Sequence, residues 1–115
     1  MTRDERRLSD ILEAINKIDR FAGEGRVAFD NDERTQVWMA HYVQIIGEAA
    51  RALSEEFQAQ HPQVPWSQII GMRHILVHDY FGVDLGEVWT VVERDLPVLR
   101  QQVEDILEGM RSGHT

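Results

Sequence analysis

The chain has 115 residues, with 20 acidic side chains against 12 basic ones and a formal net charge of −8. That length suits one domain with a modest core, and the acidic balance excludes a general-purpose nucleic-acid binder, whose affinity comes from neutralising phosphates. There are no cysteines, which excludes disulfides and thiolate metal sites and fits a reducing, cytoplasmic setting.

No apolar run approaches the roughly 20 residues of a membrane span. The charged opening Met1-Thr2-Arg3-Asp4-Glu5-Arg6-Arg7 has no apolar stretch behind it and is not expected to act as a signal peptide. The basic residues are eleven Arg and the single Lys17. Arginine suits an interface or a phosphate site, although a coding bias would give the same excess.

Helical periodicity runs through the chain. Leu8, Ile11, Leu12, Ile15 and Ile18 recur at spacings of three and four and predict one buried face of a first helix. Gly23 and Gly25 predict its stop and a turn. Residues 26–31 read as a short connector. From about Asp32 to Gln60 there is no Pro, and Val37, Ala40, Tyr42, Val43, Ile46, Ala50, Leu53 and Phe57 predict one long second helix. Gly47 lies in its middle, where glycine costs about 1 kcal/mol relative to alanine. A close approach of a second helix would explain it. Glu48, set among Ile45, Ile46, Gly47, Ala49 and Ala50, is expected either to pair with a cation or to sit at the edge of the buried face.

His61-Pro62-Gln63-Val64-Pro65 breaks the pattern. A third helix is predicted from Trp66 to about Phe81-Gly82, with Gly82 as terminator. Asp84-Leu85-Gly86-Glu87 has capping-box spacing. A fourth helix follows on Val88, Trp89, Val92, Leu96, Leu99, Val103, Ile106 and Leu107, kinked at Pro97. Residues 112–115 read as a frayed tail. The fold class is therefore all-α, a compact bundle of four to five helices in a single domain over residues 1–115, with its core at about 5–110.

The third helix carries Arg73-His74-Ile75-Leu76-Val77-His78-Asp79-Tyr80. Filling a core does not require that polar set. Arginine offers a fixed fork of donors that matches a phosphate, and histidine moves a proton near neutral pH. At about 100° per residue, Arg73 and His78 lie roughly 140° apart on a straight α-helix. They converge only if the helix changes before His78, or if two copies of it face each other across a dimer axis. His74 and His78, four apart, have the spacing of helical metal ligands. No third ligand follows at a familiar spacing, so no metal site is expected. His41 and His61 read as surface or packing residues, Trp38, Trp66 and Trp89 as core or interface anchors, and Glu104-Asp105 with Glu108 as a solvated face.

Arg73-x4-His78-x-Tyr80, late in an all-helical chain, resembles the R-x4-H-x-Y signature of the HepT-like ribonuclease toxins of the HEPN superfamily. Ile46-Gly47-Glu48-Ala49, Trp66 with Ile69-Ile70-Gly71-Met72, Tyr80-Phe81-Gly82-Val83-Asp84, Val88-Trp89 and Leu96-Pro97 extend the resemblance over about residues 5 to 110. The family often has Asn directly after the arginine, where this chain has His74. The resemblance implies a HEPN-like fold and a metal-independent endoribonuclease without cofactor. It implies a homodimer or higher homo-oligomer, with Arg73 and His78 as the catalytic pair. It further implies a type VII-like toxin-antitoxin system of the HepT/MntA kind. There an MntA-type nucleotidyltransferase antitoxin transfers AMP from ATP onto the motif tyrosine, here Tyr80.

The residues themselves suit that chemistry. RNA carries its own nucleophile, the 2′-hydroxyl, and needs a base, an acid and a cation for the charged phosphorane. His74, Asp79 and Glu48 are candidates for supporting roles. The alternative is a non-catalytic helical module that binds or scaffolds a minimal nucleotidyltransferase, which the acidic charge would suit equally well.

Overall fold

The computed structural model of the chain describes residues 2–75 and 85–112. Among them the architecture is all-α, without a strand. The first helix, α1 (Arg3–Ala22), begins at a reciprocal cap. The Thr2 hydroxyl accepts from the Glu5 backbone N–H at 3.1 Å and lies 3.3 Å from the Glu5 carboxylate, which satisfies a donor that the helix itself leaves open. Leu8, Ile11, Ile15 and Ile18 are buried on one face, as the periodicity predicts, with Ala14 beside them and Leu12 only partly buried. Gly25 has φ +90°, a value that L side chains rarely adopt, and it turns the chain after α1.

The expected connector at residues 26–31 is instead a short helix, α2 (Gly25–Asp30). It has no periodic stripe for a sequence reading to find. Its anchor is tertiary: Phe29 is buried against Trp89, with ring centroids 5.2 Å apart.

The long second helix also needs correction. α3 (Glu33–Arg51) ends well before Gln60, and α4 (Glu55–Gln60) follows as a separate helix. Ser54 makes the break. Its hydroxyl caps α4 by accepting from the Phe57 N–H, while its own N–H and hydroxyl donate to Asp4 at the start of α1. At the other end of α3, the Asp32 carboxylate accepts from the Thr35 hydroxyl at 2.8 Å and the Arg34 N–H at 3.0 Å. The Thr35 hydroxyl is the main reason that the Asp32 carboxyl is held below its ordinary pKa.

α5 (Trp66–Gly71) starts where the Trp66 indole N–H donates to the His61 carbonyl at 2.9 Å, so the large ring is buried with its polar edge satisfied. A 3-10 turn, Met72–Ile75, continues it. The expected end of the third helix at Phe81-Gly82 and the Asp84 cap lie outside the described residues, as do residues 113–115 of the expected tail. Ser112 belongs to the last helix, its hydroxyl donating to the Glu108 carbonyl at 2.7 Å.

α6 (Leu85–Thr90) and α7 (Leu96–Ser112) are joined by a π-helical turn, Val91–Asp95, closed by a bond from the Leu96 N–H to the Val91 carbonyl. Pro97 explains the irregularity. It has no N–H to give the Glu93 carbonyl, and its ring would press on that carbonyl in a regular helix. Widening the preceding turn by one residue relieves both problems.

α3 is the hub. It packs against α1 on one side and against α5 and the 3-10 turn on the other, while α7 closes on α1. Arg100 of α7 bonds Asn16 and Asp19 of α1. Among the described residues, the buried apolar side chains of α1 to α7 and of the two irregular turns join in one core cluster. Among the described residues, no helix is long and apolar enough to cross a membrane.

Candidate active site

The α-helix that was expected to run through the motif ends at Gly71, and Arg73 and His74 sit on the 3-10 turn. A 3-10 turn advances about 120° per residue with three residues per turn. The straight-helix estimate of the angle between Arg73 and later residues therefore does not hold beyond Gly71. His78, Asp79 and Tyr80 lie outside the described residues.

Arg73 is half-buried, and its backbone passes close against Gly47. A Cβ built on Gly47 would stand 2.7 Å from the Arg73 backbone nitrogen, 3.1 Å from the Arg73 Cβ and 3.1 Å from the Ile69 carbonyl oxygen. The two segments meet backbone to backbone, and only glycine leaves room at the crossing. This is the close helix approach that Gly47 suggested, and its partner is the motif turn itself. The Arg73 Nε is buried and has no hydrogen-bond partner among the described residues. Among the described residues Arg73 forms no ion pair, and the crossing with Gly47 meets the base of its side chain.

Glu48 lies elsewhere. It is exposed, accepts from the Gln44 amide at 3.4 Å, and lines a groove between α1 and α3 with Arg7, Asp10, Glu13 and Lys17. Gly47 turns toward Arg73, so the next residue, about 100° around the helix, faces away from it. Among the described residues Glu48 forms no ion pair with Arg73. Of its two expected settings, Glu48 takes the exposed edge.

On the other flank of the motif turn a cleft of about 350 Å³ opens between α5 and the π turn. Ile69, Met72, Val91 and Leu99 supply apolar lining, with Asp95 and Gln102 among its polar groups. The sequence offered one signal for it, Pro97, whose irregularity shapes that wall. Of the three tryptophans, Trp66 and Trp89 are core anchors. Trp38 is not. It is 47% exposed and stacks with Phe21 and Tyr42 along the open edge of α1 and α3.

Arginine at the head of this motif is a residue type suited to a phosphate. The comparisons agree with that chemistry. The family described as "Ribonuclease HepT-like" matches residues 11–106. The chain belongs to the HepT-like ribonuclease family. It is 37% identical to "Probable ribonuclease HepT" of Thermococcus cleftensis, over 86% of this chain and 91% of that protein. It is 36% identical to "Putative RNase MJ1380" of Methanocaldococcus jannaschii, over 84% of this chain and 90% of that protein. No solved structure matches it. The HepT-like match runs from Ile11 in the buried face of α1 to Ile106 in α7, so it takes in the Gly47 crossing and the whole motif.

Proposed function

We propose that this HepT-like chain is a metal-independent endoribonuclease toxin acting in the cytoplasm as a homodimer. The observation that carries this reading is Arg73, seated on a 3-10 turn against Gly47 with its Nε unpartnered among the described residues, at the head of the R-x4-H-x-Y motif.

In this reading the RNA 2′-hydroxyl loses its proton to His78 and attacks the adjacent phosphorus. Arg73 binds the non-bridging oxygens and stabilises the charge that grows on them in the phosphorane. The bond to the 5′-oxygen then breaks, and that oxygen takes up a proton. The products are a 2′,3′-cyclic phosphate and a 5′-hydroxyl. His78 supplies one proton-transfer group per subunit, and in this reading the two copies of His78 in a dimer divide the base and acid roles. Pairing the motif turns also gathers positive charge on a chain of net charge −8.

Tyr80 is the regulatory residue in the same reading. The partner nucleotidyltransferase directs the Tyr80 hydroxyl onto the α-phosphorus of ATP. Pyrophosphate leaves, and AMP stays on the phenolic oxygen. The added bulk and negative charge, two residues from His78, oppose an RNA phosphate. Asp79 and His74 are the candidates for supporting roles beside the pair in this reading.

The test is cleavage of single-stranded RNA in EDTA, with analysis of the ends. Cyclic-phosphate ends that disappear in Arg73→Ala and in His78→Ala support the proposal, and cleavage that survives both substitutions refutes it. Growth arrest on expression, relieved by the coexpressed nucleotidyltransferase, separates the toxin from a non-catalytic scaffold. An intact-mass gain of AMP units that is lost in Tyr80→Phe tests the modification.

A further inference from the structure

We infer that Gly47 is a positioning residue for Arg73: the missing side chain on α3 sets where the arginine stands, and through it the rate of the chemical step. The inference rests on the ribonuclease reading of Arg73. Three facts lead to it. The atoms that a Cβ at position 47 would strike are the Arg73 nitrogen, the Arg73 Cβ and the Ile69 carbonyl oxygen, at 2.7, 3.1 and 3.1 Å. None is the free end of a flexible side chain, so none can swing aside. The Arg73 Nε is buried without a partner among the described residues, so no hydrogen bond at Nε would pull the side chain back after its backbone moved. The third is the turn itself. Met72–Ile75 is a 3-10 segment that packs on α3, so displacement of α3 is felt directly at Arg73.

A Cβ does not stand closer than 3.0 Å and ordinary contact begins near 3.4 Å, so a methyl group at position 47 requires the Arg73 nitrogen, at 2.7 Å, to retreat by about 0.3 Å at least and by about 0.7 Å for ordinary contact. A displacement of that order at a group that must meet a phosphorane is costly, since a misplacement of about 1 Å can lower a rate by roughly 100-fold. Intrinsic helix propensity favours Ala over Gly at this mid-helix site. The steric and propensity effects therefore oppose each other, and loss of activity on Gly47→Ala would not follow from a weakened helix.

The experiment compares Gly47→Ala with Gly109→Ala. Gly109 lies in α7, and a Cβ there meets nothing within 4 Å. RNA cleavage is measured as separate kcat and KM, and the Arg73 Nε–Hε signal is followed by 15N NMR, assigned through its absence in Arg73→Lys. The expected result for Gly47→Ala is a folded protein with the Arg73 signal shifted, kcat lower by about 10- to 100-fold, and KM within a few-fold of the parent. Gly109→Ala should match the parent in all three. An unshifted Arg73 signal with unchanged kcat overturns the inference. Loss of the folded state in Gly47→Ala alone overturns it as well, because Gly47 would then hold the bundle and not the arginine. A fall confined to KM does the same. If the parent protein does not cleave RNA, the ribonuclease reading fails, while the Arg73 signal still decides whether Gly47 positions the arginine.

Discussion

Asp4 accepts two hydrogen bonds from Ser54, at 3.0 Å from its backbone nitrogen and 2.9 Å from its hydroxyl, across fifty residues of sequence. The same hydroxyl caps α4 by accepting from Phe57. One serine thus ends α3, starts α4 and ties both to the first turn of α1. Ser54→Ala removes the cap and half of the tie, and should lower unfolding free energy by about 1–2 kcal/mol in urea titrations. Asp4→Ala should cost about 1 kcal/mol, and the double substitution less than the two single costs together, because the residues share their bonds. RNA cleavage at saturating substrate should be unchanged in both, since the Gly47–Arg73 crossing does not involve them.

Glu93 anchors the π turn from outside. Its carboxylate accepts from the buried Trp89 indole N–H at 2.6 Å. Glu93→Ala removes the acceptor of a part-buried donor, at a cost of about 1 kcal/mol. Glu93→Gln keeps an acceptor and should retain most of the stability. Thermal unfolding of the two variants makes the comparison. Equal loss in both would show that the carboxylate's charge matters and not its acceptor role.

The α3 N-terminus carries a pH signature. The Asp32 carboxyl is held below its ordinary value of 3.8, chiefly by the Thr35 hydroxyl and further by the Thr35 and Arg34 N–H groups. A folded pKa below the unfolded one means that the ionised form is bound more tightly in the folded state. Its contribution is therefore complete above the unfolded pKa and is lost as pH falls through the lowered folded value. Stability curves of the parent and Asp32→Asn should run parallel from pH 7 to pH 5. Below about pH 4 the parent should fall more steeply than Asp32→Asn, which caps the helix without titrating. Parallel curves across the whole range would remove Asp32 from the acid limb.

Long amphipathic faces were legible in the sequence because their period repeats over several turns. The buried faces of α1 and α7 follow the apolar spacing, and that of α3 does so from Ala40 onward, while Val37 is exposed. Two of the departures arise from tertiary partners that spacing does not encode, and a third from a local proline. α2 is held by Phe29 against Trp89, the break at Ser54 by Asp4, and the π turn by a proline that a plain kink would also have explained. The same holds for the site. The motif identified Arg73, but periodicity extended a regular α-helix through it, where the chain tightens into a 3-10 turn. Gly47 announced a close approach, yet nothing in its neighbours named the arginine as the other side. Trp38 was read with the other tryptophans as a core or interface anchor, and its open-edge position removes the core half of that reading.

The seat of Arg73 separates charge from shape. Lysine at this position would keep the positive charge and the backbone crossing with Gly47, but it replaces a planar fork with a single ammonium group. If Arg73 grips two non-bridging oxygens of the phosphorane, charge alone is insufficient. Arg73→Lys should then lower kcat by about 10²-fold or more, close to Arg73→Ala. Both variants should unfold near the parent temperature, since the Nε they lose has no hydrogen-bond partner among the described residues. Single-turnover cleavage of a short RNA, with circular dichroism of each variant, gives both readings. Lysine at near-parent rates would reduce Arg73 to a source of positive potential and remove the bidentate contact from the mechanism. A large drop in unfolding temperature would instead make Arg73 part of the fold, and its effect on rate could not be read as catalytic.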